Sequence, residues 1–276
     1  MTTPQNNKLD VVVLASGINQ IPLFEGYVPG YKALLPYHGK ASIQYVLEAL
    51  QSVPAVGRIC VEGPCALLQQ ELAASLNKTD SPLTLIEGGT TFLESLVLGL
   101  EHFATSKRVL FITADLPLVT PAAIQDFLEA GTSARTGDAQ LAIAVVPRSC
   151  YTGPYRHFTK PFNRYRDIAI CHGNLFLVDP LLLKLPQLQE KINKFYAGRK
   201  NALLTTLALG WRLALVYMVG VELLHLLTLR QLARFTSQQL GFTVAPVLVP
   251  HPGISIDVDE PDDYAFVRDR IEESWR

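Results

Sequence analysis

The sequence lacks any large net charge, since 24 lysines and arginines meet 25 aspartates and glutamates over 276 residues. No whole-molecule basic field exists to gather a polyanion, so nucleic acid is not an expected partner. Cysteine is scarce, with Cys60, Cys65, Cys150 and Cys171 forming no CxxC pair. That spacing argues for reduced structural thiols over a zinc site or a disulfide framework. Clean apolar runs are missing too. The opening residues MTTPQNNKLD carry neither a basic start nor an apolar stretch, so no secretory signal is read and a cytoplasmic protein is expected. The apolar region 202–229 is interrupted by Arg212, Glu222 and His225 before it reaches the roughly 18 residues a membrane span requires. Core helices are expected there, with a membrane-surface contact or a dimer face as the alternatives.

What the chain does contain is apolar material in a regular order. Hydrophobic residues make up 49% of it, enough for a core that removes about 70–75% of the unfolded surface from water. Val11-Val12-Val13-Leu14 is apolar on both faces, as a central parallel strand should be, and it ends in the small residues Ala15-Ser16-Gly17. Helices are then predicted over Ser42 to Leu50, Ala66 to Leu76, Thr91 to Phe103 and Pro121 to Ala130, the last behind Thr120 as N-cap. Strands are predicted between them, over Arg58 to Val61, Leu83 to Ile86, Arg108 to Thr113 and Leu141 to Val146. Alternation of this kind gives the fold class: α/β, a Rossmann-like, mostly parallel twisted sheet with helices on both faces. The second half is less regular. An aromatic and basic stretch, Tyr151 to Arg166, precedes a strand over Ile168 to Val178, a largely helical insertion over about 181–240, a strand over Val244 to Val249, an extended segment Gly253 to Val258 and a last helix from Pro261 to Ile271. A single domain over 1–276 is expected, with a regular half at 9–150 and a less regular half at 151–276.

In open α/β sheets ligands sit beyond the carboxyl ends of the strands, so the residues just after each strand carry the functional signal. Leu14, Ala15, Ser16 and Gly17 are small enough to let backbone N–H groups approach phosphates, and Lys32, in the KALLP segment before Gly39-Lys40, offers a mobile cation. A glycine after a strand also serves as a plain turn. Gly88 and Gly89 open onto a helix whose Thr91 and Glu94 form a capping box, and a base could lie over those glycines. Asp115, in TADLP, follows an apolar strand and is pinned before the next helix, a good position for magnesium and also for an ordinary loop aspartate. Asp257 and Asp259 share one face of an extended segment because side chains alternate, although Asp259 can equally cap the last helix. Lys160 lies among Arg156, His157, Arg164 and Arg166, where it could grip an acceptor phosphate or form part of a solvated loop. Asn174 after Gly173 could contact an acceptor hydroxyl, or mark a turn.

Taken in order, the residues 14–17, the KALLPxxGK segment at 32–40, GGTTFLES, TADLP and DVDEPDDY resemble those of the MobA-like nucleotidyltransferases, in the nucleotide-diphospho-sugar transferase superfamily. The resemblance covers roughly 9–150, 168–180 and 240–275, and leaves 180–230 unaccounted for. It implies an enzyme that transfers a nucleoside monophosphate from a nucleoside triphosphate to a phosphorylated small-molecule acceptor, with Mg2+ and with release of pyrophosphate. It further implies that Gly17 approaches the phosphates, that Lys32 neutralises them, and that Gly88, Gly89 and Ser95 lie near the base. Asp115 with Asp257 would hold magnesium, Asp259 being the alternative second ligand, and Lys32, Asp115 and Asp257 form the implied catalytic set. One departure is plain. The family's opening loop carries a second glycine and an arginine, where this chain has Asn19 and Ile21 and a longer path to Lys32. Lys40 or Lys160 is the candidate replacement for the arginine. Two other readings stay open, a glycosyltransferase of the same architecture, though TADLP lacks the second aspartate usual there, and a nucleotide-binding protein without catalysis.

Overall fold

The computed structural model describes residues 8–73, 83–133, 136–158, 161–185 and 226–274. Their centre is an eight-stranded sheet. We number its strands β1 (Leu9–Leu14), β2 (Val56–Gly63), β3 (Leu83–Glu87), β4 (Val109–Thr113), β5 (Leu141–Pro147), β6 (Asn163–Arg164), β7 (Ala169–Val178) and β8 (Val244–Leu248). The order across the sheet is β8-β5-β7-β4-β1-β2-β3, with β6 paired to β7. β1 runs parallel to both β2 and β4, β2 parallel to β3, and β5 parallel to β8. Only β7 runs against the others, antiparallel to β4, β5 and β6. The mostly parallel sheet is therefore observed, with β7 as the reversed strand between β4 and β5.

Six helices flank it among the described residues: α1 (Ser42–Gln51), α2 (Cys65–Glu71), α3 (Phe92–His102), α4 (Pro121–Thr132), α5 (Leu229–Leu240) and α6 (Pro261–Ser274). Side-chain alternation in β1 explains why both faces are covered. Val11 and Val13 join a cluster with Ile43 and Leu47 of α1, Leu68 of α2, Phe127 of α4 and Val267 of α6. Val12 and Leu14 face the other way, into a cluster with Leu100 of α3, Phe111 of β4 and Leu182. Each fully buried aliphatic side chain of this kind contributes about 1.5–3 kcal/mol relative to exposure.

Helix starts follow the local sequence. Thr120 accepts a hydrogen bond from the N–H of Ala123 with proline at the head of α4, and Thr228 and Gln231 form a reciprocal capping box on α5. Gly241 ends α5 at φ 78°, a left-handed conformation that suits glycine. On α3 the expected box is half made. Thr91 Oγ1 accepts from Glu94 N–H, but the Glu94 carboxylate reaches one residue further back, to the N–H and hydroxyl of Thr90.

Two readings of the second half change. Pro180–Lys184 is a short 3-10 turn, so of the expected helical insertion the described part is α5 alone; positions 186–225, including most of the apolar 202–229 region, lie outside the described residues. Pro252–Ser255 is likewise a 3-10 turn where an extended segment was expected, although burial still alternates beyond it, with Ile256 and Val258 inside. No described helix is long and apolar enough to cross a membrane. All four cysteines are free.

Candidate nucleotide site

The chain builds β1, β2 and β3 outward on one side and then returns to the other side of β1 to lay down β4. The sheet thus switches direction between β1 and β4, the place where open α/β sheets bind ligands. A cavity of about 440 Å³ opens there, within the size range of small-molecule sites, lined by Leu14 to Gly17 after β1, Glu62 in β2, Gly89 to Phe92 after β3, and Thr113 to Asp115 at the end of β4. Ile18, Gln20, Lys32, Ala33 and Ser95 complete the wall.

The long path from Gly17 to Lys32 proves to be a hairpin. Ile18–Asn19 pairs with Gly30–Tyr31 in a two-residue antiparallel ladder. Lys32 N–H then donates to the Gly17 carbonyl at 2.8 Å, which places the lysine beside the glycine although fifteen positions separate them in sequence. Its Nζ lies 3.5 Å from Asp115 Oδ2 and is also bonded to Asp259 Oδ1. Burial opposes the charge on Lys32, but Asp115 and Asp259 outweigh it, so its pKa stands above the ordinary lysine value and the side chain remains cationic at neutral pH.

On the opposite wall the glycines are required by close approach. A Cβ on Gly88 would collide with Ser16 Oγ, and one on Gly89 would lie 2.6 Å from the Ser95 amide nitrogen. The turn therefore has no side chain to fill the cavity, and Ser95, 3% exposed, sits beneath it.

Glu62 was not anticipated from sequence. It lies in β2 with no exposure, and its Oε1 accepts from Ser16 Oγ at 2.9 Å and from Gly89 N–H at 2.5 Å. The available signal was a lone acid in the apolar run Ile59-Cys60-Val61-Glu62-Gly63, one residue beyond the expected end of the strand. Burial, with Glu62 nearby, pushes the Cys60 thiol up to about 12, so Cys60 is not a nucleophile for this site.

Of the remaining expected site residues, Asp259 uses its carboxylate on Lys32. Capping of α6 falls to Asp263, whose Oδ2 accepts from the N–H groups of Asp259 and Glu260. Asp257 is half-buried and does not line the cavity. Asn19, where the family loop has glycine, is buried and donates from Nδ2 to the Asp259 carbonyl at 3.0 Å, tying the opening loop to the α6 approach. Ile21 donates its N–H to Asn19 Oδ1. Lys40 does not replace the missing arginine in this arrangement: it is held by both oxygens of Glu48 at 2.7 and 2.9 Å and does not line the cavity. Lys160 lies outside the described residues. Asn174 is not in a turn. It falls inside β7 at a register shift, one step beyond the Leu175–Ile112 pair toward Thr113.

Buried polar atoms are almost always paired. Seven side-chain atoms are exceptions among the described residues, and three of them, Glu62 Oε2, Thr113 Oγ1 and Asp115 Oδ1, belong to residues lining this one cavity. Unmet hydrogen-bonding capacity gathered at the switch point marks this cavity as the candidate ligand site of an open α/β sheet. The family model for the MobA-like NTP transferase domain matches residues 12–195, and the chain belongs to that family. Among solved structures it is similar to a hypothetical transferase from Thermus thermophilus, at 25% identity and TM-score 0.72, over 93% of this chain and 99% of that one. It shares its fold with a CMP-2-keto-3-deoxy-manno-octonic acid synthetase complexed with CTP, at 14% identity and TM-score 0.58, over 97% and 99% of the two chains. It also shares it with a 4-diphosphocytidyl-2C-methyl-D-erythritol synthase from Anaerococcus prevotii, at 13% identity and TM-score 0.55, over 97% of each chain. No curated protein matches the sequence. The fold is of the nucleotidyltransferase type.

Proposed function

We propose that this protein transfers a nucleoside monophosphate from a nucleoside triphosphate to a phosphorylated small molecule and releases pyrophosphate. The observation that carries the reading is the gathering of three unpartnered buried polar atoms and one enclosed lysine in a single cavity at the sheet's switch point. Family membership and the nucleotidyltransferase-type fold support it.

In this scheme an oxygen of the acceptor phosphate attacks the α-phosphorus, a new P–O bond forms there, and the bond to the bridging oxygen of pyrophosphate breaks. The protein need not exchange a proton with either group at neutral pH, so positioning and charge carry the rate. The small residues Ala15, Ser16 and Gly17 let the triphosphate approach the backbone, and Lys32, reached across the hairpin, turns its ammonium from Asp115 and Asp259 toward phosphate oxygens. Gly88, Gly89 and Ser95 seat the base. The buried Oδ1 of Asp115, lacking a partner, fits a hard cation, and Asp115 with Asp259, its neighbour on Lys32, would hold magnesium, which supplies charge neutralisation for the phosphates. Asn174 and Lys160 are the acceptor-side candidates, Asn174 because its place in β7 brings it level with the end of β4.

The test is thermal stabilisation by each of the four ribonucleoside triphosphates, with and without magnesium, followed by pyrophosphate release with a panel of sugar phosphates. A ligand at 100 times its dissociation constant adds about 2.7 kcal/mol to stability. One triphosphate is expected to stabilise in the presence of the metal. Asp115→Ala is expected to fold, to lose that metal-dependent shift and to lower turnover by about 10²-fold or more; wild-type turnover in this variant would refute the assignment.

A further inference from the structure

Resting on the proposed reading of the cavity as a nucleotide site, we propose that Glu62 is the residue that selects the base, and that it selects a base carrying an exocyclic amino group. Only one end of the cavity carries a cation. Lys32 and Asp115 stand on the β4 side, while Glu62 stands across β1, beside the Gly88-Gly89 turn. Phosphate goes to the end that holds Lys32, and the Glu62 end, whose printed partners are the neutral donors Ser16 Oγ and Gly89 N–H, takes the uncharged part of the nucleotide. The turn there has no side chain, and none fits at Gly88 because Ser16 Oγ and Glu62 Oε1 already occupy the space a Cβ would need. That leaves a surface suited to a flat ring.

The hydrogen bonds decide what the ring must present. Oε1 of Glu62 is engaged by Ser16 Oγ and Gly89 N–H, and the second of these donors is fixed by the backbone. Oε2 has neither a solvent contact nor a partner in a side chain with no exposure. Oε2 is an oxygen left without a donor. The amino groups of cytosine, adenine and guanine provide one. Uracil places a carbonyl oxygen at the corresponding position, acceptor against acceptor. This device rejects by leaving a buried group unpaired, which is the effective way for a site to discriminate.

The experiment needs no knowledge of the acceptor. Dissociation constants are measured by calorimetry for CTP against UTP, for GTP against ITP, which lacks the 2-amino group, and for ATP against purine riboside triphosphate. In the pair containing the tightest ligand, the amino-bearing member is expected to bind at least about tenfold more tightly. Glu62→Gln must keep its amide oxygen on the Gly89 N–H, so its NH2 occupies the Oε2 position and turns the acceptor into a donor. The expected result is a ratio that falls to about one or inverts in favour of the amine-free ligand. If the variant does not fold, the wild-type pairs decide alone. Ratios within twofold in every pair, UTP as the tightest ligand, or an unchanged ratio in Glu62→Gln would each overturn the assignment while leaving the nucleotide site intact. A larger loss for the 2′-deoxy form than for the amine-free form would overturn it in favour of ribose recognition. Absence of binding by every triphosphate would overturn both this inference and the reading beneath it.

Discussion

Lys32 keeps its charge in a cavity wall because two carboxylates outweigh the cost of its burial. Its folded pKa is raised above the ordinary lysine value of 10.5, so the stabilisation it gives is fully present below that value and is lost only as pH rises through the higher folded one. Between pH 6 and 9 this contribution should not change. Lys32→Met, which removes the charge at similar length, leaves Asp115 facing the cavity without a cation and is expected to cost about 1–3 kcal/mol. Urea titrations at pH 6 and pH 9 should show the same gap from wild type; a gap that closes within that window would mean that another group carries the effect. At this scale the sequence was informative wherever a small or charged residue follows a strand, as at Gly17, Gly89 and Asp115. It was silent on Glu62, because a buried carboxylate is made tolerable by Ser16 and Gly89, two segments that only the fold brings to it.

Among the elements, α3 shows how a helix gains its place over the sheet. Gly99 lets it approach so closely that a Cβ there would lie 2.8 Å from both Phe111 Cε1 and Val12 Cγ1, side chains with no exposure and no room to yield. Gly131, near the end of α4, differs: a Cβ there would meet Leu177 Cδ2 at 3.5 Å, an ordinary contact. The same substitution should therefore have opposite signs. Gly99→Ala is expected to lose about 1–2 kcal/mol, overpacking exceeding the gain in helix propensity, whereas Gly131→Ala is expected to gain up to about 1 kcal/mol. Chemical denaturation of the two variants side by side checks this. Helix ends were legible because caps are local, as Thr91 and Thr120 show. The reversal of β7 was not, since its apolar pattern is the same in either direction and only pairing with β4 and β5 fixes it. The hairpin before Lys32 escaped notice for a related reason, because a two-residue ladder carries no periodicity.

For the molecule as a whole, the order of motifs along the chain revealed the family but not how its two ends meet. Asp259 joins Lys32, Asn19 reaches the Asp259 carbonyl, and the hydroxyl of Tyr264 in α6 donates to the Pro36 carbonyl at 2.8 Å. The Tyr264 ring also stacks on Phe24 with centroids 4.5 Å apart and lies 5.0 Å from Tyr37. The last helix thus braces the hairpin that carries Lys32, although Tyr264 does not line the cavity. Removing the brace should loosen the hairpin before it unfolds the sheet, because a two-residue ladder opens at lower free energy than the central strands, although Tyr37 and Tyr264 share a buried cluster with β1, β2 and β4. Tyr264→Ala is expected to raise amide exchange over 18–31 while β1 and β4 stay protected, and to weaken triphosphate binding by about tenfold through loss of Lys32 positioning. Tyr264→Phe keeps the stacking and forfeits only the hydrogen bond, so its effect on binding should be the smaller of the two. Uniform loss of protection across the sheet in Tyr264→Ala would show instead that α6 supports the core, and that its link to the nucleotide cavity is incidental.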